Sequence, residues 1–117
     1  MLSLPPSVRI FLCTQPTDMR RSFDGLAALT RDVLRQEVLS GHLFVFFNRR
    51  RDRTKILYWD RTGLVVWAKR LERGVFTLPV AHDPSVTLSA AELALILEGI
   101  DLNGAKRHKR YVVPESA

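Results

Sequence analysis

Between the apolar runs Phe44-Val45-Phe46-Phe47 and Ile56-Leu57-Tyr58-Trp59 lies Asn48-Arg49-Arg50-Arg51-Asp52-Arg53-Thr54-Lys55. Guanidinium groups at that density repel one another unless an anion meets them. An arginine fork grips two phosphate oxygens in one plane, and a lysine adds a point charge. The chemistry best suited to the stretch is therefore contact with a nucleic-acid backbone. The alternative is a solvated hairpin tip with no ligand. Asn48 or an arginine could also read base edges, and nothing in the spacing separates that from plain phosphate contact.

Catalytic patterns are weak by comparison. A metal-dependent nuclease needs carboxylates converging on cations. Asp18, Asp52, Asp60 and Asp101 each fall in a turn or at the end of an element, where Asp is common anyway. His42, His82 and His108 are far apart and lack metal-ligand spacing. No glycine-rich phosphate loop appears, and the serines have no evident base partner. An arginine finger remains the one catalytic alternative for the loop. No catalytic residue, metal or cofactor is assigned. In Asp18-Met19-Arg20-Arg21 the aspartate reads as a turn stabiliser, with pairing to Arg20 or Arg21 or metal binding as alternatives. Tyr58, Trp59, Trp67, Phe44, Phe46 and Phe47 read as core, the alternative being a platform on which bases stack.

The elements that must position the arginines follow from pattern and punctuation. Residues 8–14 form a first strand, broken by Gln15-Pro16-Thr17-Asp18. Ser22 opens a helix by accepting from a first-turn amide, and Asp24 suits its positive end. Phe23, Leu26, Ala27, Thr30, Val33, Leu34 and Val38 recur at helical spacing, so this helix is expected to run until Ser40-Gly41. Residues 43–47 and 55–60 are strands, Asp60-Arg61-Thr62-Gly63 is a turn with Gly63 available for positive φ, and 64–71 is a fourth strand. Val75 to Leu78 is a candidate fifth strand. Ser89-Ala90-Ala91-Glu92 is a capping box that opens a second helix.

A turn centred on Arg61-Thr62 sets Lys55 opposite Ala68 and Arg53 opposite Arg70. Arg49, Arg50, Arg51, Arg53, Lys55, Lys69, Arg70 and Arg73 then share one end of the sheet, offset locally by Asp52 and Glu72. These eight are the candidate nucleic-acid-binding residues. The expected fold is α+β: a mainly antiparallel sheet of four to five strands, a β-meander with a basic hairpin tip, packed with two helices. The 117 residues divide into one domain over 1–103 and a basic tail over 104–117 whose composition suits disorder.

The net charge of +6 and a pI near 10.2 bias the chain toward polyanions. The hydrophobic fraction of 46% allows a true core. Cys13, in an apolar run, reads as a buried strand cysteine and fits a reducing cytoplasm. No apolar stretch approaches the roughly 20 residues a bilayer crossing needs, and Pro5-Pro6 interrupts any signal segment.

Several blocks resemble a known family: Thr17-Asp18-Met19-Arg20-Arg21-Ser22-Phe23-Asp24-Gly25-Leu26, Ser40-Gly41-His42-Leu43-Phe44-Val45-Phe46, the run from Asn48 to Asp60, Lys69-Arg70-Leu71-Glu72 and Leu97-Glu98-Gly99-Ile100-Asp101. In this order the chain resembles the TnpB accessory proteins of the insertion-sequence-66 transposon family, which are unrelated to the RNA-guided nuclease of the same label. The resemblance covers 16–76 and 88–101, while the proline-rich start and basic tail stand outside it. It implies a non-catalytic role in DNA transposition beside a separate transposase. The expected partners are DNA at the transposon ends or bound to transposase, the transposase itself, and a second copy in a homo-oligomer. The expected location is the cytoplasm, at the nucleoid. An adaptor that docks on the transposase or self-associates without touching DNA is the alternative.

Overall fold

A computed structural model describes residues 4–99. The element order is β1 (Ile10–Cys13), α1 (Phe23–Asp32), a 3-10 turn at Val38–Ser40, β2 (Leu43–Phe47), β3 (Arg53–Trp59), β4 (Leu64–Arg70), β5 (Ser85–Leu88) and α2 (Ala90–Leu97). The five strands form one sheet in the order β4-β3-β2-β1-β5. β1 and β2 run parallel, joined through α1, and every other neighbouring pair is antiparallel.

The helices cover opposite faces. Leu43, Val45, Phe47 and Ile56 pack with Leu93, Ile96 and Leu97 of α2. Phe44, Phe46 and Leu57 pack with Leu26 and Ala27 of α1. Alternate residues of a strand point to opposite faces, so a strand sandwiched between helices must be apolar throughout. That is why β2 reads Leu-Phe-Val-Phe-Phe without a polar break, and why all five of its residues are buried. β1 obeys the same rule. The aromatics of the sheet centre are core: Phe44 and Phe46 are fully buried, and Tyr58 and Trp67 pack against the α2-side cluster.

Four local expectations are corrected, the last of them at the β3–β4 turn. The helix at Phe23 stops at Asp32, because Arg35 adopts a left-handed φ of 57° that no α-helix can continue through. The apolar stripe beyond it still folds back: Leu34 and Val38 are buried on the α1 side. Ser22 occupies the N-cap position but its side chain makes no capping bond. The fifth strand is Ser85–Leu88, paired with β1 at the sheet edge, and not Val75 to Leu78. By contrast Ser89 and Glu92 form a full capping box at α2.

At the β3–β4 turn the positive φ falls on Arg61, at 82°, and not on Gly63. The Asp60 carboxylate stabilises this turn by accepting from the amides of Thr62 and Gly63 and from the Thr62 hydroxyl. Those bonds hold its pKa below the usual carboxylate value.

Candidate nucleic-acid interface

The arginine loop is braced rather than free. Asn48 organises it: its Oδ1 accepts from the amides of Asp52 and Arg53 at 3.0 Å each, and its Nδ2 donates to Asp52 at 2.6 Å. The Asn48 main chain adds bonds to Arg53 and Arg51. This carboxamide is occupied in holding the loop, which removes Asn48 as a reader of base edges. Asp52 is held below the ordinary carboxylate pKa, first by the Asn48 bond and then by nearby Arg50 and Arg53.

Two neighbouring segments clamp the loop from outside. The amide of Leu71 donates to Asp52 at 2.8 Å, and that of Phe76 to Arg51 at 2.6 Å. Phe76, fully buried, packs edge-on against Phe47 at 5.2 Å. Residues 75–78 carry strand-like side chains but bond to a loop instead of a ladder. On the other side the amide of Thr17 donates to the Phe47 carbonyl at 2.8 Å. The basic tip is thus a fixed platform, and its side chains rather than its backbone are what a ligand would meet.

The eight cations share one end of the sheet but not one face. The register is Arg53 opposite Arg70, Thr54 opposite Lys69, and Lys55 opposite Ala68. Lys55 therefore points to the α1 side, where its Nζ donates to the Arg21 carbonyl at 2.8 Å. Lys69 points to the α2 side and donates to the Leu97 carbonyl at 2.7 Å, which places a cation at the negative end of α2. Both lysines brace structure. The signal for this split was available in the strand period: residues one register step apart face opposite ways.

The arginines are more open. Arg50 lies 4.0 Å from Asp52, and Arg70 lies 3.5 Å from Glu72. Such surface pairs contribute at most about 1 kcal/mol and leave the cations available to a ligand. Arg49, Arg51, Arg53 and Arg73 are exposed, and among the described residues no carboxylate lies within ion-pair reach of them.

The structure also brings in residues that the sequence kept apart. A cleft of about 500 Å³ separates Asp18, Met19 and Arg20 from Arg49, Arg50 and Arg53. A second, of about 350 Å³, continues past Arg53 to Lys55 and Arg70, again with Met19 in its lining. On the opposite side of the loop, Arg51 lines two further clefts, each with Thr14 and Leu78, and Arg49 reaches into one of them. Asp18 stabilises its turn, accepting from the Arg20 amide at 2.9 Å, and also pairs with the Arg20 side chain at 2.6 Å. Hydrogen bonds from the Arg20 side chain, then its amide, lower the Asp18 pKa to about 2.

Arg51 has φ of 58°. A left-handed arginine costs roughly 1 kcal/mol that glycine would not. Arg51→Gly is expected to raise stability by about 0.5–1 kcal/mol in denaturant melts, while removing one cation from the loop. Stability gained together with nucleic-acid affinity lost would show that the arginine is kept for contact and not for the fold.

Among the other described residues no comparable arrangement is found. His42 accepts from the Arg9 amide at 2.9 Å and sits edge-on to Phe11. Cys13 is buried, and burial pushes its thiol pKa up. Among the described residues no group of His, Cys, Asp and Glu could hold a metal ion, and no helix is long and apolar enough to cross a membrane. Asp101, His108 and the basic tail lie outside the described residues.

The comparisons with known proteins point one way. A family model described as "IS66 Orf2 like protein" matches residues 8–107. The uncharacterized protein y4jC of Sinorhizobium fredii is 36% identical over 107 residues, covering 92% of this chain and 92% of its own. The uncharacterized protein y4hO of the same organism is 39% identical over 101 residues, covering 86% and 88% respectively. No solved structure matches. The braced arginine loop, the clefts beside it and both helices fall inside the matched span, and the chain belongs to the IS66 Orf2-like family, the accessory proteins of insertion-sequence transposition.

Proposed function

We propose that this protein is a non-catalytic, DNA-binding accessory factor of transposition. It contacts the phosphate backbone of transposon ends, or of transposase-bound DNA, through the arginine loop and the cations around it. It works beside a separate transposase, in the cytoplasm at the nucleoid. The observation that carries this reading is the display of Arg49, Arg51, Arg53 and Arg73 at one sheet end on and beside a braced loop, none of them in an ion pair with a carboxylate among the described residues. Because the loop backbone is already fixed, only the side chains must order when they meet a polyanion.

Binding should depend steeply on salt. If about five phosphates are neutralised, log affinity for duplex DNA plotted against log salt should fall with a slope near −4 to −5. A flat salt response, or no binding to any duplex at low salt, rejects the proposal.

The adaptor reading draws on a different feature. β4 is an outer strand, and Leu64-Val65-Val66-Trp67-Ala68 carries no charge along that edge. It predicts that the protein co-purifies with transposase after nuclease treatment. Loss of the complex on nuclease treatment favours DNA as the bridge.

A further inference from the structure

We infer that the DNA-contacting surface has a second wall, the segment Thr17 to Arg21, in which Arg20 grips backbone phosphate and Asp18 is its positioning residue. This rests on the DNA-binding reading above and extends it to residues outside the loop.

The segment is anchored at several points. The Thr17 amide bonds the end of β2, and the Lys55 ammonium bonds the Arg21 carbonyl. Met19 is buried, 7% exposed, in the α1-side core. Arg20 is therefore held across a cleft from Arg49, Arg50 and Arg53, although it belongs to no helix or strand.

Its orientation is set by its neighbour. Arg20 Nε lies 3.1 and 3.0 Å from the Asp18 carboxylate oxygens, and Nη2 lies 2.6 Å from Oδ2. The carboxylate thus occupies the Nε edge of the fork. The outer edge, built from Nη1 and the remaining proton of Nη2, is left for a ligand. A planar fork already fixed in direction meets a phosphate with less ordering than a free side chain.

A carboxylate in an anion-binding wall is otherwise unfavourable. The Arg20 side chain is 92% exposed, so the pair contributes little to stability by itself. The turn bond that Asp18 accepts from the Arg20 amide needs only an oxygen, which Asn would supply without the repulsion, so positioning is what the negative charge adds. The side chains lining the two α1-side clefts include no aromatic ring, so nothing in them stacks a base. The ligand class is the sugar-phosphate backbone of duplex DNA.

The test opposes charge to positioning. Asp18→Asn keeps an oxygen for the Arg20 amide, which donates to Asp18 Oδ1 at 2.9 Å, so the turn survives. It also makes the protein more positive. Charge alone predicts tighter binding to a random-sequence duplex. Positioning predicts binding about fivefold weaker at unchanged melting temperature. Arg20→Lys leaves Asp18 in place and keeps the charge but loses the fork, and should weaken binding by a similar factor. If wild type binds and Asp18→Asn binds equally or more tightly, this inference falls while the DNA-binding reading stands. Arg20→Lys binding like wild type overturns it in the same way. If wild type does not bind the duplex at any salt, the parent reading falls and takes this one with it.

Discussion

With Arg49, Arg50 and Arg51 all replaced by alanine, the protein is expected to melt where the wild type melts and to lose duplex DNA roughly 10²- to 10³-fold near 0.1 M salt. The first half of that result follows from exposure. All three side chains are exposed, and what fixes the loop is the Asn48 carboxamide and backbone bonds, none of which needs an arginine side chain. Alanine at position 51 inherits the left-handed backbone but adds no new strain. The second half follows from counterion release. Each neutralised phosphate adds about 0.9 to the salt slope, so losing three contacts should flatten it by close to three. Arg50 lines the cleft on the α1 side, Arg51 lines those on the other, and Arg49 reaches into both sides. Arg50→Ala should therefore cost more affinity than Arg51→Ala if DNA lies along the α1 side. Retention of wild-type affinity and slope by the triple variant would show that the loop is not the contact.

Asn48→Ala should have the largest effect on stability of any polar substitution at the site, about 2–4 kcal/mol. The change deletes three hydrogen bonds, two of them partly buried and one exposed. It strands the amides of Asp52 and Arg53 and strips the Asp52 carboxylate of the donor that most lowers its pKa. For a domain of this size that loss corresponds to a melting temperature lower by roughly 10–20 °C. DNA affinity should fall as well, because the arginines would no longer be presented by a fixed loop. Thermal melts and duplex titrations of one preparation check both. A variant that melts within a degree or so of wild type would show that the outer clamps at Leu71 and Phe76 hold the loop without help from Asn48.

Much of this architecture is legible in the residues themselves. The unbroken apolar run of β2 announces a strand covered on both faces. The turn at Asp60 to Gly63 sets the β3–β4 register, with Lys55 opposite Ala68 and Arg53 opposite Arg70. Ser89 and Glu92 mark the start of α2 by a reciprocal pair of bonds that needs only local chain. The misses have a common cause. Arg35 ends α1 in a conformation that glycine would have flagged and arginine conceals. β5 is four residues long, follows Pro84, and owes its pairing to β1 at the other end of the chain. Residues 75–78 have strand propensity, yet their partner is a loop.

The site divides along the same line. The density of arginine between β2 and β3 is a local signal. The approach of Asp18 and Arg20 to that loop is a tertiary one, produced by Thr17 bonding the end of β2 and by Lys55 reaching the chain ahead of α1. Nothing in the spacing of Asp18-Met19-Arg20-Arg21 places it beside a hairpin that lies beyond α1 in the chain.

The pairing of β1 with β5 bears on how the molecule is made. On the ribosome the β2–β3–β4 hairpins can zip as they emerge, since their ladders join near neighbours in the chain. β1 emerges before all of them, and one of its flanks stays unsatisfied until Ser85–Leu88 leaves the exit tunnel. Synthesis that stalls before that point leaves a nascent chain with a bare apolar edge, the condition under which chaperones engage and aggregates start.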